Sequence, residues 1–250
     1  MEKISDIAFQ WTLPEAGVWI LLENLVIFFI SVFLGDLLTK VYQKRKLISH
    51  QHKLSRSEVM LTALTILINA GVTLGGWLLW KQGFIKLEHD YSLKILMDFL
   101  VIFFIMDFLM YLLHRAGHLP FIYPYLHRTH HRIENPSPMA LFVLNPAETL
   151  SFGFLWLLVL CCATFSWIGI SVYLFINIVF GITGHLGVEP LPASWPKNRL
   201  LKYFATSTFH TQHHQDLKVN YGFYTNIWDR LFGTLAGYYE SFFGKVHKSR

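Results

Sequence analysis

The sequence predicts an all-α fold: a multi-pass membrane helical bundle of about four to five spanning or hairpin helices, with a histidine-rich helical cap on one side. Three observations predict it. Of 250 residues, 53% are apolar and only 15% are charged, a balance outside that of ordinary soluble domains. Apolar stretches of roughly 20 residues, enough to cross about 30 Å of hydrocarbon as helices, recur along the chain. The histidines, 13 in all, gather mostly in clusters beyond the ends of those stretches. Residues 1–250 read as a single integral membrane domain.

The first three predicted spans cover residues 17–38, 58–80 and 93–113. The first lacks a basic leader and a small-residue cleavage site, so it reads as a retained span. A fourth apolar region, residues 141–184, is too long for one crossing. Its polar and small residues Thr164, Ser166 and Gly169 predict a hairpin of two helices. The C-terminal V-H-K-S-R carries no retrieval signal. Cys161 and Cys162, adjacent in an apolar stretch, do not support a disulfide framework.

The net charge of +5 does not imply nucleic acid, because the basic residues lie in loops beside apolar spans. The loop 40–56 holds Lys40, Lys44, Arg45, Lys46, Lys53 and Arg56 with no acid among them, which predicts a cytoplasmic loop. Counting crossings from there places segment 114–139 and everything after Gly184 on the same cytoplasmic side. Every histidine cluster is then at one depth. The stretch L-P-F-I-Y-P-Y-L, residues 119–126, suits a segment lying in the membrane interface or, equally, a buried connecting loop.

The clusters are His114 and His118; His127, His130 and His131; His185; and His210, His213 and His214. H-R-A-G-H places two imidazoles one helical turn apart on one face. H-R-T-H-H and H-T-Q-H-H share the pattern H-x-x-H-H, which predicts three rings on one helical face. About 0.03 such matches are expected by chance at this histidine frequency. A lone histidine is most simply a satisfied polar or interfacial residue, and His50, His52, His89 and His247 are read that way. Nine imidazoles buried together would be costly without a metal or a hydrogen-bond partner for each ring.

Nine nitrogens exceed what one ion can use, so two metals are expected. Imidazole suits iron, zinc, copper and nickel, and the ligand type alone does not choose. The absence of E-x-x-H argues against a soluble carboxylate di-iron bundle. The absence of H-E-x-x-H removes the catalytic glutamate of a zincin protease.

From D-F-L-M-Y-L-L-H-R-A-G-H at Asp107, through L-H-R-T-H-H and N-P-A-E, to H-T-Q-H-H, N-Y-G and W-D-R-L-F-G-T ending at Thr234, the chain resembles the membrane fatty acid hydroxylase and sterol desaturase superfamily. The resemblance covers residues 107–234, about half the chain. It implies that His114, His118, His127, His130, His131, His210, His213 and His214 ligate a dinuclear centre of two iron ions, with zinc an alternative occupant on isolation. His185, in G-H-L-G, resembles the family's isolated histidine between the second and third boxes. Asp107, about two turns before His114, is expected to accept a hydrogen bond from a ligand ring and fix its tautomer; the alternative is an ion pair with Arg115 or Arg128. Asn220, Trp228 and Asp229 match the family's tail, as scaffold or as catalytic groups.

The implied reaction is O2-dependent attack on an unactivated C–H bond of a sterol-like or fatty acyl lipid that arrives from the bilayer. The product is an alcohol, or an alkene when a neighbouring hydrogen is also lost, and the ligand set does not choose between them. The chain shows no haem, flavin or iron–sulfur motif. Electrons are therefore expected from a separate protein of cytochrome b5, ferredoxin or reductase type. A bacterial inner membrane or an endoplasmic reticulum suits the chain. A histidine-rich metal transporter would place ligands near span centres and repeat them between halves, and neither pattern is visible. A bis-histidine cytochrome needs no H-x-x-H-H triplets, and a non-catalytic metal-binding relative would have less reason to keep every box.

Overall fold

The computed structural model describes residues 4–50, 52–89 and 92–246; His247 lies outside them. Among the described residues, four helices are long and apolar enough to cross a membrane: α2 (Leu13–Val41), α3 (Arg56–Lys81), α4 (Lys94–Gly117) and α8 (Trp167–Gly184). A short α1 (Ile4–Gln10) precedes them. The shorter α7 (Pro146–Cys162) is apolar too, and its 17 residues reach about 25 Å. With α8 it makes the expected hairpin, broken at β2 (Thr164–Ser166). The region expected to begin that hairpin at Leu141 instead opens with a 3-10 turn, Pro138–Phe142. Pro146 then starts α7, because a proline is tolerated only in the first helical turn.

The helices α2, α3, α7 and α8 begin where the sequence supplies a cap, whereas α4 follows Leu93, whose side chain caps nothing. The Thr12 amide donates to Glu15 (2.8 Å) before α2, and the Ser55 amide donates to Glu58 (2.6 Å) before α3. Asn145 receives the Ala147 amide at α7, and Ser166 receives the Gly169 amide at α8. Apolar side chains such as Phe29, Phe33 and Phe154 point outward and are exposed, as expected of surfaces solvated by lipid. Between helices, small residues admit close approach. A Cβ on Gly153 of α7 would lie 2.5 Å from Val72 of α3.

The bundle has two distinct ends. At one, β1 (Lys86–Glu88) pairs in parallel with β2, and Asp98 accepts the Ser166 amide (2.6 Å) while bonding Lys94 (2.7 Å). At the other end, the last turn of α2 meets the loop after α8 through Thr39 and the Leu186 carbonyl (3.0 Å). Leu54 and Leu61, around the start of α3, pack on Ile133, Ala140 and Val143. The short helices α5 (Tyr123–Leu126), α6 (Arg128–His131), α9 (Ser207–Gln215) and α10 (Ile227–Leu231) cover this second end. Phe121, just before α5, and Tyr125, within it, are exposed.

Candidate metal centre

The structure brings the nine clustered histidines into two groups. His114, His118, His127, His131 and His213 form one; His130, His185, His210 and His214 form the other. Within each group the ligand-capable nitrogens lie within 4.8 Å of one another. The contributing elements are the last turn of α4, α6 with the residue before it, the end of α8, and α9.

The fold does not build the expected single face of three rings. The three rings of each H-x-x-H-H box do not serve one face. His127 and His131 join the five-histidine group while His130 turns to the other; His210 and His214 join the four-histidine group while His213 crosses over. Helical geometry explains the split. Rings at i and i+4 are about 40° apart around the axis, whereas the i+3 ring is about 100° from i+4. Two such boxes facing each other therefore exchange their i+3 rings. His118 caps α4 rather than lying within it, and still meets His114.

The rings are oriented from behind. His114 Nδ1–H donates to the Tyr221 carbonyl (2.8 Å) and His213 Nδ1–H to the Val219 carbonyl (2.7 Å). His185 Nδ1–H donates to the Gly181 carbonyl (2.9 Å). A carbonyl only accepts, so in these rings the proton is on Nδ1 and the Nε2 lone pair points into the cluster. There the Nε2 atoms crowd together: His114 and His127 at 2.9 Å, His131 and His213 at 3.0 Å, His185 and His210 at 3.1 Å. The buried Nε2 of His118 has no hydrogen-bond partner among the described residues. Converging lone pairs without an intervening cation repel, so the donor set fits a metal ion in each group.

The titration behaviour agrees. Burial, then the neighbouring His114, pushes His118 down to about 2. Burial and His185 push His130 down to about 3, and burial pushes His185 down to about 4. Burial and adjacent imidazoles also hold His127, His210, His213 and His214 well below the ordinary histidine value. Rings that are neutral near pH 7 are ready to coordinate.

Asp107 does something other than expected. Its fully buried carboxylate accepts the Tyr224 and Thr225 amides (3.0 and 3.1 Å), the Thr225 hydroxyl (2.5 Å) and Trp228 Nε1–H (2.9 Å). These donors bring it neither a histidine ring nor Arg115 or Arg128. Its two-turn spacing from His114 points it at the C-terminal segment, which it ties to α4. Asp229 holds the Tyr221 and Gly222 amides (2.8 Å each), and burial pushes its carboxyl up to about 6. Asn220, at φ 60°, donates to the Phe209 carbonyl (3.0 Å) and receives the Ala236 amide (2.8 Å). The carbonyls on either side of Asn220 are the ones that orient His213 and His114. Gly222 is required in this turn, since a Cβ there would lie 2.1 Å from the Thr225 carbonyl oxygen.

Two carboxylates were missed from sequence. Glu148, buried, has Oε1 2.6 Å from His127 Nδ1. Glu189, fully buried, accepts the Thr208 amide (2.9 Å) and hydroxyl (2.7 Å) at the start of α9. The N-P-A-E motif contained the first signal, an acid one turn into an apolar helix. Among the background histidines, His50 bonds Ser49 and Asn135 and His52 bonds Glu58; neither joins a histidine group.

A cavity of about 620 Å³ runs between the spans. Near the metal-site end it is bounded by Phe142, Leu144, Phe152 and Phe223. The Phe223 ring is 5.3 Å from that of His114 and 5.4 Å from that of Phe152. Those two phenylalanines form the wall between cavity and histidines.

The sequence profile of the fatty acid hydroxylase family matches residues 99–234, and the chain belongs to that family. It is 32% identical to methylsterol monooxygenase 1 of Danio rerio over 130 residues, covering 50% of this chain and 42% of the relative. It is 29% identical to lathosterol oxidase of Homo sapiens over 202 residues, covering 76% and 64%. A cholesterol 25-hydroxylase-like protein of Danio rerio is 28% identical over 164 residues, 62% of each chain. The chain thus spans 42–64% of the length of these relatives. No solved structure gives a significant match.

Proposed function

We propose that this protein is a membrane-bound non-haem di-iron oxidoreductase that uses O2 and external electrons to hydroxylate or desaturate a sterol-like or fatty acyl lipid, with residues 107–234 as its catalytic region. The observation that carries the reading is the pair of histidine groups whose Nε2 lone pairs converge. His114, His118, His127, His131 and His213 would hold one ion, and His130, His185, His210 and His214 the other. When bound, a pair of ferrous ions supplies the electrons that activate O2 for attack on a C–H bond.

The chain's own residues set the conditions for that chemistry. With an ion on Nε2, His127 carries its proton on Nδ1 and donates to Glu148, which raises the ring's basicity and fixes its orientation. The Tyr221, Val219 and Gly181 carbonyls do the same for His114, His213 and His185. Phe152 and Phe223 exclude water and bound how far a lipid carbon can advance toward the histidines. How that carbon lies against the wall decides between alcohol and alkene. The substrates named for the relatives make a sterol-like lipid the first to test.

The positively charged loop 40–56 is on the histidine-bearing side, which supports a cytoplasmic site in a bacterial inner membrane or the endoplasmic reticulum. A separate cytochrome b5, ferredoxin or reductase-type protein would deliver electrons to that face. The testing experiment is elemental analysis with Mössbauer spectroscopy on iron-57-labelled protein purified anaerobically in detergent. Two coupled irons per chain are expected. Two zincs would reopen the choice of active metal, and a folded protein without metal would overturn the reading.

A further inference from the structure

The cavity has two unlike walls. One is formed by α4, α7 and α8, inside the family-matched segment 99–234. The other is formed by α2 and α3, outside it. On this second wall Ser31 of α2 and Thr65 of α3 line the cavity, each only 1% exposed. Both hydroxyls lack a hydrogen-bond partner among the described residues.

Other hydroxyls in the apolar helices behave differently. Thr62, Thr73, Thr149, Ser151 and Ser171 each donate to the carbonyl four residues back. That bond is always within reach of a helical serine or threonine, and a buried hydroxyl without a partner is destabilising. Both hydroxyls belong to residues that line one cavity, and a ligand that displaces the side chains packed over them can satisfy them.

Their depths agree. Ser31 is ten residues from Val41 at the histidine-side end of α2, and Thr65 nine from Arg56 at the corresponding end of α3. At 1.5 Å per residue both lie about 14–15 Å below that end, near the middle of a bilayer core about 30 Å thick. Asn69 extends the polar strip along α3, and Asn177 faces the cavity from α8. Trp11, Trp77, Trp80 and Trp167 line its far end, the aromatic belt expected at the opposite interface. A plain hydrocarbon would leave the strip unpaired.

We propose that the cavity binds a lipid alcohol whose hydroxyl bonds Ser31 and Thr65 near the bilayer midplane, while its apolar body extends to the Phe152–Phe223 wall. The hydroxyl subsite selects among lipids, and its link to oxidation rests on the oxygenase reading above. It places a specificity determinant on helices outside the family-matched segment.

The test is equilibrium binding to the full chain in nanodiscs, with two radiolabelled probe pairs: cholestanol against cholestane, and octadecanol against octadecane. Wild type is expected to prefer the alcohol by roughly tenfold in at least one pair, the discrimination of one or two net hydrogen bonds. S31A/T65V should bring the preference to about one while leaving binding of the hydrocarbon unchanged. T65S, which keeps the hydroxyl, should retain the preference and shows that site 65 tolerates change. Absence of an alcohol preference in wild type, or its survival in S31A/T65V, overturns the subsite. These readouts need no turnover, so the two readings separate. Loss of the preference in a protein that oxidises no lipid supports the subsite and counts against the oxygenase; its survival in a protein that does oxidise lipid removes the subsite alone.

Discussion

The two histidine groups share one mouth of the bundle but are braced differently. In the five-histidine group, His114 and His213 lean on the carbonyls of Tyr221 and Val219, and His127 meets Glu148. That bracing depends on a turn at residues 219–222 pinned by Asp229 and Asn220, far along the chain from α4. In the four-histidine group, His185 leans on Gly181, a carbonyl of its own helix. One group is assembled by distant segments, and the other partly by local geometry. The first should therefore respond to changes in the C-terminal segment that leave the second intact, and four imidazoles would leave more of an ion's coordination open than five.

The largest expected effects come from removing a ligand in each group. His213→Ala should loosen the ion of the five-histidine group, where four rings remain, and His130→Ala that of the four-histidine group, where three remain. Each should abolish turnover and weaken one metal by more than the 10–100-fold typical of outer partners, with membrane insertion unchanged because no apolar span is altered. Metal stoichiometry by elemental analysis checks this, one ion per chain remaining in each variant. Normal activity in both would remove the proposed site.

A smaller effect isolates the bracing. Glu148→Gln keeps an acceptor beside His127 but removes the negative charge, so affinity for the ion at the five-histidine group should fall by about 10–100-fold. The other ion should hold at its wild-type affinity. Chelator competition resolving two metal populations reads the difference, and equal weakening of both would mean that the groups behave as one site.

Acid should act on the metal-free protein next. The unfolded chain takes up a proton on each ring as pH falls through about 6.5, whereas folded His185 and His130 stay neutral down to about 4 and 3. Their contribution is fully present above pH 6.5 and is lost as pH falls from there toward 3. Each such ring costs roughly 1.4 kcal/mol per pH unit inside that window. Thermal unfolding of metal-free protein between pH 7.5 and 5 should show Tm falling with pH; a flat profile would mean that these rings are not buried neutral.

Much of this was legible in the sequence because apolar length and histidine spacing are local signals. Residues 17–38, 58–80 and 93–113 fall inside α2, α3 and, except for Leu93, α4, and the nine clustered histidines are the ones that converge. The partition into five and four was not legible. It depends on how α6 and α9 face each other, and H-x-x-H-H is compatible with either grouping until the i+3 ring has a partner across the site. Asp107 was misread for a related reason: helical spacing placed it on the face of His114, but the Thr225 and Trp228 donors come from 118 and 121 residues away. Glu148 stood in a recognised motif, yet only the fold brings it to His127.

The smallest expected effect tests the line drawn between clustered and background histidines. His50 is the demanding case, because its Nε2 lies 3.3 Å from Asn135 Nδ2, only four residues beyond His131. Proximity in the chain does not make it a ligand: its ring is exposed, and its other nitrogen bonds Ser49 (3.0 Å). Replacing it removes two hydrogen bonds at the surface, where substitutions usually change stability by no more than about 0.5 kcal/mol. His50→Ala should therefore keep both metals and near-wild-type turnover in the same assays that His130→Ala fails. If it instead released an ion, the four-histidine group would have to be redrawn to include the loop after α2, and the bracing contrast between the groups would narrow.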